Sequence, residues 1–250
     1  MTPLLKLENV SRRFGGLLAL DHVSVSLGRG EVVGLIGPNG AGKTTFVNVV
    51  TGLLRPSSGS IEFDGHRIDG QRPDRISRHG IARTFQIVQP FPRLSVRENV
   101  AAAALFAGGA KTQTEATSIA DEHLAFCGLL ADTNKPAGLL PLAGRKRLEL
   151  AKGLASKPSL LLLDEVNAGL NPSEIDEALR LIAAIASRGI TLLLIEHLMK
   201  VVAESCSRLL VLHQGRLIAD GPTQNIMKNE DVIEAYLGRR YADMQKGAGI

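Results

Sequence analysis

The stretch EVVGLIGPNGAGKTTFVNVV at residues 31–50 constrains the fold more than any other part of the chain. EVVGLI is a short apolar run bounded by Gly30 and Gly37, which suits a strand buried in a parallel sheet. GPNGAGKT at 37–44 then satisfies G-x-x-x-x-G-K-[ST]. A helix is expected from about Lys43 to a stop near Gly52, whose missing Cβ suits a C-terminal cap. In such a loop the glycines let successive backbone N–H groups turn toward an anion, and the helix N-terminus adds positive potential. Gly37, Pro38, Asn39, Gly40, Ala41, Gly42, Lys43, Thr44 and Thr45 therefore read as a nucleotide-phosphate site. Lys43 would bridge the β- and γ-phosphates, the Thr44 hydroxyl would hold Mg2+, and Thr45 would add an α-phosphate contact. The bare pattern also arises in ordinary glycine turns, but the strand before and helix after argue against that here.

With 250 residues, 44% of them hydrophobic, the chain can bury the core of one large domain or two closely joined lobes. A net charge of +4 with 22% charged residues describes an ordinary soluble surface and is a weak pointer to an anionic partner. Cys127 and Cys206 lie far apart in apolar helical surroundings without a CxxC or Cys/His cluster, which fits a reduced cytosolic compartment. The start, MTPLLKLENVSRRFGG, lacks the basic-then-apolar order of a signal peptide. No apolar run approaches the roughly 18 residues needed to cross a bilayer. If the protein works at a membrane, another chain must supply the span.

Polar and apolar residues alternate through the first 30 positions around FGG, as in antiparallel strands. SSGSIEFDGHRI places Asp64-Gly65 between short apolar segments, a two-residue hairpin signal. The middle reads as helical: SVRE at 95–98 has the form of a capping box, and AGGAK at 107–111 is a flexible join. After it, Ala116, Ile119, Ala120, His123, Leu124 and Cys127 share one helical face. Beyond Pro158 strands resume, with NPSE at 171–174 opening a helix through an Asn171 cap and Pro172 in its first turn. Strands alternating with helices imply a largely parallel sheet covered on both faces. The expected organisation is a single domain over 1–250. Residues 1–90 and 158–250 form its α/β core with an antiparallel β lobe, and 91–157 form a helical lobe. There is no internal repeat.

Two strand ends carry further chemistry. SLLLLDEV at 159–166 is an apolar strand ending in two carboxylates. Asp164 would bind Mg2+ through water, and Glu165 would orient and deprotonate a water attacking the γ-phosphate. Strands often end in solvated acids, but a phosphate loop about 120 residues earlier gives this pair a partner. LLLIEH at 192–197 ends another strand at His197, whose imidazole would reach a γ-phosphate oxygen; alone, such a histidine would read as structural.

Phosphate loop, Asp-Glu strand and strand-terminal His, in this order and spacing, resemble the ATP-binding subunits of ABC transporters across essentially the whole chain. The resemblance implies a P-loop NTPase with a mainly parallel RecA-like core, an N-terminal antiparallel β subdomain and a helical subdomain. It also implies ATP and Mg2+ as ligands. Phe14, in VSRRFGG, matches the family's adenine-stacking aromatic, although a buried strand aromatic reads nearly as well. Gln86, in ARTFQ, matches the glutamine that touches Mg2+ and the attacking water and links to the membrane subunit. AGLN at 168–171 matches the loop that crosses to the opposing subunit.

GIARTFQ, RLELAKGLA, DEVNAGLNP and VIEAYLG look like the ATPases of branched-chain amino acid uptake systems. Close relatives serve lipopolysaccharide export or urea and amide import. The implied partners are a second ATPase subunit in a head-to-tail dimer, two transmembrane permeases and a separate solute-binding protein, with no nucleic acid. The implied location is the cytoplasmic face of the inner membrane. A soluble ABC-type ATPase acting on DNA or ribosomes would carry a long coiled-coil insertion or a second ATPase domain, for which this chain has no room. A P-loop kinase would not account for RLELAKGLA or the position of His197.

One stretch departs from the family. The signature turn, usually LSGGQ, corresponds to Leu140, Pro141, Leu142, Ala143 and Gly144. Pro141 has neither hydroxyl nor amide proton, so two γ-phosphate donors are lost. Arg145, Lys146 and Arg147 follow in the first helical turn and could supply charge, against the helix dipole. Three readings remain open: a weakened signature, a silent one, and a basic patch without interleaved aromatics. Val166 stands where many relatives have proline and leaves both carboxylates in place. The ending RRYADMQKGAGI extends past VIEAYLG, and as a terminal stretch it is expected to be disordered.

Overall fold

The computed structural model describes residues 2–84 and 90–237, so the ending RRYADMQKGAGI lies outside the described residues. In chain order, β1 (Leu5–Phe14), β2 (Leu17–Leu27) and β3 (Val32–Ile36) lead into helix α1 (Lys43–Val50). Then come β4 (Ser58–Phe63), β5 (His66–Arg67), α2 (Pro73–Arg78) and β6 (Ile81–Arg83). Three helices follow, α3 (Val96–Phe106), α4 (Gln113–Phe126) and α5 (Leu142–Ala155). Next are β7 (Leu160–Asp164), α6 (Pro172–Ala186), β8 (Thr191–Ile195) and α7 (Met199–Ser205). β9 (Arg208–His213), β10 (Arg216–Pro222), α8 (Thr223–Ile226) and α9 (Glu230–Leu237) complete the order. The chain divides into two compact units, one from Met1–Gln71 with Leu193–Ile250 and one from Arg72–Leu192. The division falls within β8.

In the first unit β1 pairs antiparallel with β2 on one side and β4 on the other. Leu5 and Leu7 are buried with Lys6 and Glu8 more exposed, the alternation of a sheet with one solvated face, until an irregularity between Leu7 and Val10 leaves Val10 and Ser11 both buried. The expected hairpin is present: Phe63 pairs with His66, and Asp64 (φ 50°) and Gly65 (φ 75°) take the two left-handed positions of a two-residue turn. β3 pairs in parallel with β9, Ile36 opposite Val211, and β10 returns antiparallel along β9. Apart from the half-buried Val32, β3 is buried along its length, as its unbroken apolar run requires. α1 ends at Val50 with Gly52 in the left-handed region (φ 74°), as the sequence implies.

In the second unit β6 runs parallel to β7, Ile81 opposite Leu160. All five residues of β7 are buried. Each of its four leucines contributes roughly 1.5–3 kcal/mol relative to an exposed one. α3 opens on the Ser95–Glu98 capping box and α6 on one formed by Asn171 and Glu174, with Pro172 in its first turn. α4 turns Ala116, Ala120 and Leu124 inward, and Cys127 is buried just past its end, the face the periodicity selects. The unit that holds α3, α4 and α5 also takes in β6, β7 and α6.

Candidate functional site

The phosphate loop lies wholly in the first unit and is built from backbone. Gly37 (φ 153°), Gly40 (φ 79°) and Gly42 (φ 106°) all occupy the positive-φ region. Space demands glycine at two of them as well: a Cβ on Gly37 would lie 2.2 Å from the Leu212 carbonyl oxygen, and one on Gly42 2.6 Å from that of Ala19. The Ala41 N–H donates to the Pro38 carbonyl at 3.1 Å, and the Gly215 N–H donates to the Ala41 carbonyl at 2.9 Å. These bonds fasten the loop to itself and to the turn between β9 and β10.

Electrostatics point the same way. α1 has no side-chain cap and no acidic residue in its first turn, so its positive end is not neutralised from within the helix. The Lys43 ammonium folds back over the loop, donating to the Gly37 carbonyl at 2.6 Å and the Pro38 carbonyl at 3.1 Å. Thr44 is exposed and Thr45 half-buried at the same helix end.

Two more expected residues belong to this unit. Phe14, at the end of β1, is 42% exposed with the Arg12 guanidinium 4.5 Å from its ring centre, so it is not a buried strand aromatic. His197 is exposed, two residues past β8 and two before α7. Its neighbour Glu196 is almost fully buried, a placement that the strand-end pattern does not foretell. Gln86 lies outside the described residues.

The carboxylates Asp164 and Glu165 lie in the second unit, and here side chains do the building. Asp164 closes β7 and is buried, its Oδ2 2.6 Å from a guanidinium nitrogen of Arg83 at the end of β6. The Asp164 N–H donates to the Thr84 hydroxyl at 3.2 Å, and the Thr84 N–H donates to the Leu162 carbonyl at 2.9 Å. Glu165 is half-buried with φ 48°, a left-handed conformation uncommon for a non-glycine residue. Its carbonyl accepts from the Ala168 N–H at 3.1 Å and from the Lys146 ammonium at 3.0 Å.

The departing signature stretch also lies in this unit. Pro141 is the N-cap of α5 and supplies no side-chain cap, as the missing hydroxyl dictates. The three basic residues after it do not form an outward patch. Arg145 donates to the Leu140 carbonyl at 2.7 Å, Lys146 is buried against Glu165, and Arg147 pairs with Glu177 of α6. Lys146 thus corrects the expectation of compensating charge in the first turn, because its ammonium is directed into its own unit. Arg83 and Lys146 escape the sequence reading for one reason. A basic residue at a strand end or in a polar helix start looks solvated until the fold supplies its partner.

The two cysteines add nothing to either group. Burial pushes the Cys127 and Cys206 thiols up to about 12. Among the described residues no group of three or more His, Cys, Asp or Glu side chains could hold a metal alone. The donors that each unit offers, the Thr44 hydroxyl at the glycine-built anion cradle of the first and the Asp164 carboxylate of the second, are hard oxygens. They fit a Mg2+ that arrives with nucleotide phosphates and keeps several waters.

Comparison with known proteins places the chain among ATP-binding cassettes. The sequence profile of the ABC transporter family matches residues 20–168, and that of the branched-chain amino acid ATP-binding cassette transporter family matches 216–242. The chain is similar to LivG of Salmonella typhimurium, a high-affinity branched-chain amino acid transport ATP-binding protein. The identity is 42%, covering 94% of this chain and 98% of the relative. BraF of Pseudomonas aeruginosa, named for the same role, is 40% identical with the same coverage. Among solved structures, a nucleotide-free ATP-binding cassette from an ABC transporter superposes with a TM-score of 0.86 at 30% identity. That match covers 95% of this chain and all of the other.

Proposed function

We propose, from the premise that this chain belongs to the ABC transporter family, that it is the ATP-hydrolysing subunit of a branched-chain amino acid importer. The observation that carries the reading is the glycine-built loop at the uncapped end of α1. It gathers a glycine-built backbone turn, the positive end of a helix and the Lys43 ammonium, folded over the loop, in one place suited to an anionic ligand. No helix among the described residues is long and apolar enough to cross a membrane, so the solute path belongs to permease partners. The chain acts as a peripheral subunit at the cytoplasmic face, alongside a separate solute-binding protein.

Each residue then has a task in phosphoryl transfer. Phe14 stacks on adenine, and the N–H groups of residues 37–45 hold the phosphates. Lys43 bridges the β- and γ-oxygens, and Thr44, Asp164 (through water) and Gln86 would hold a Mg2+ that arrives with the nucleotide, Gln86 also touching the attacking water. Mg2+ bound with the nucleotide neutralises charge on the transferring phosphoryl group. Glu165 takes the proton of the attacking water, and His197 donates to the γ-phosphate as negative charge accumulates.

The functional unit is a head-to-tail pair in which the helical lobe at 91–157 carries the turn at 140–144 to the partner's nucleotide. Because Pro141 cannot donate, the pair is an asymmetric heterodimer. This chain's own loop hydrolyses ATP against the partner's intact signature, and the opposite site turns over slowly. ATP performs work because it binds the closed pair better than the open one.

The test is co-expression with the partner subunits, purification of the complex, and ATPase and uptake assays against a panel of amino acids and amides. Stimulation by branched-chain amino acids through the binding protein is the expected result; stimulation by amides alone would overturn the substrate. Glu165→Gln should remove most ATPase activity, and the partner's equivalent change should remove less. Equal losses would sink the asymmetry.

A further inference from the structure

Lys146 stands in a stretch whose basic residues have no role in the reading above. It is only 7% exposed, although an ammonium is among the costliest groups to bury. Its Nζ lies 3.0 Å from the carbonyl oxygen of Glu165, nineteen residues later. That carbonyl also accepts from the Ala168 N–H, so both of its lone-pair directions are used.

The backbone it holds is the unusual one. Glu165 sits at φ 48°, a sparsely populated conformation that persists where the surroundings over-determine it. Two further contacts join the same elements. A Cβ on Gly169 would lie 3.1 Å from Leu142 Cδ2, so the first turn of α5 packs directly against the segment between β7 and α6. Arg147, next to Lys146, pairs with Glu177 on α6. The start of α5 is therefore fastened to the Glu165 segment by a charge-assisted hydrogen bond and an apolar contact, and to α6, the helix that follows that segment, by an ion pair, all within one compact unit.

Resting on the reading of Glu165 as general base, we infer that Lys146 is a positioning residue for it. Its ammonium holds the Glu165 carbonyl, keeps the left-handed turn, and so sets where the Glu165 carboxylate points. A base displaced by a fraction of an ångström loses rate, because proton transfer needs hydrogen-bond geometry with the attacking water. Nucleotide binding depends on the phosphate loop and is untouched.

The experiment uses the complex purified with its partner subunits, comparing Lys146→Met, Glu165→Gln and the double variant. Readouts are ATPase kcat, ATP affinity by fluorescence titration and thermal midpoint. Lys146→Met should lower kcat at least tenfold with ATP affinity within twofold of the parent. In the Glu165→Gln background the same change should cost nothing further, since its effect passes through Glu165. If Lys146→Met does not fold, Lys146→Arg, which keeps a donor on the carbonyl, should stay within about threefold of the parent. Lys146→Gln, which falls short of the carbonyl, should show the full loss.

Full turnover in Glu165→Gln would remove the general-base reading itself. A dead Glu165→Gln with an unimpaired Lys146→Met would overturn the positioning role alone. So would a loss that persists in the Glu165→Gln background, or one matched by lost ATP affinity.

Discussion

The two groups of site residues are made in opposite ways. The phosphate loop is one contiguous octapeptide in the first unit, and its shape comes from positive-φ glycines, backbone hydrogen bonds and a helix end. The carboxylate group in the second unit draws on Arg83, Lys146 and the pair Asp164–Glu165, separated by tens of residues. It is held by side chains: a buried ion pair and a buried ammonium. The loop thus owes its geometry to backbone, its own glycines and the main chain of Ala19, Leu212 and Gly215 packed against them, whereas the carboxylates owe theirs to the side chains of distant residues. Damage to the first should be steric and local. Damage to the second should be electrostatic and transmitted.

The largest effect that tests this contrast is chemical. Glu165→Gln keeps shape and removes the base, so ATPase activity of the complex should fall by two to four orders of magnitude while ATP still binds. Comparable turnover would mean that the carboxylate group takes no part in chemistry. Next is Arg83→Met, which leaves Asp164 buried without its cation. Chemical denaturation should show a loss of about 3–5 kcal/mol, and adding Asp164→Asn should return part of it. Additive losses would show that the pair contributes nothing as a pair.

Gly42→Ala attacks the loop instead. With φ 106° and the Ala19 carbonyl 2.6 Å from the new methyl, it should cost about 1–3 kcal/mol. It should also weaken ATP binding at least tenfold, and unchanged affinity would deny the loop its strained geometry. The smallest effect is a labelling rate. Cys206 reports on the first unit and Cys127 on the second, and burial holds both thiols near 12. Neither should be alkylated at pH 8 in the folded protein. In rising denaturant the two labelling curves show whether the units open together or apart, and prompt labelling without denaturant would contradict the burial.

How legible each part is follows from the same distinction. Asp64-Gly65 makes the expected hairpin, Ser95 and Glu98 the expected capping box, and Asn171 with Pro172 the expected helix start. All three are satisfied within four residues, so a short window of sequence contains the whole cause. Phe14 could be read as buried or exposed, and the structure shows it exposed, because the fate of a strand-end aromatic depends on what the fold lays over it. Arg145, Lys146 and Arg147 looked like one basic cluster, yet each has a different destination within its unit. Equal charge in sequence says nothing of which partner a helix will meet.

The sequence alone determined the phosphate loop, the strand and helix order around it, the family, and the missing side-chain cap at Pro141. Each rests on covalent facts: an absent Cβ, a ring in place of an N–H, an apolar run of strand length. Tertiary structure alone decided that Asp164 is paired with Arg83 and that Lys146 is turned inward onto the Glu165 carbonyl. The physical reason is that a charge acquires its energetic meaning from its burial and its nearest opposite pole. Both are properties of residues far apart in the chain.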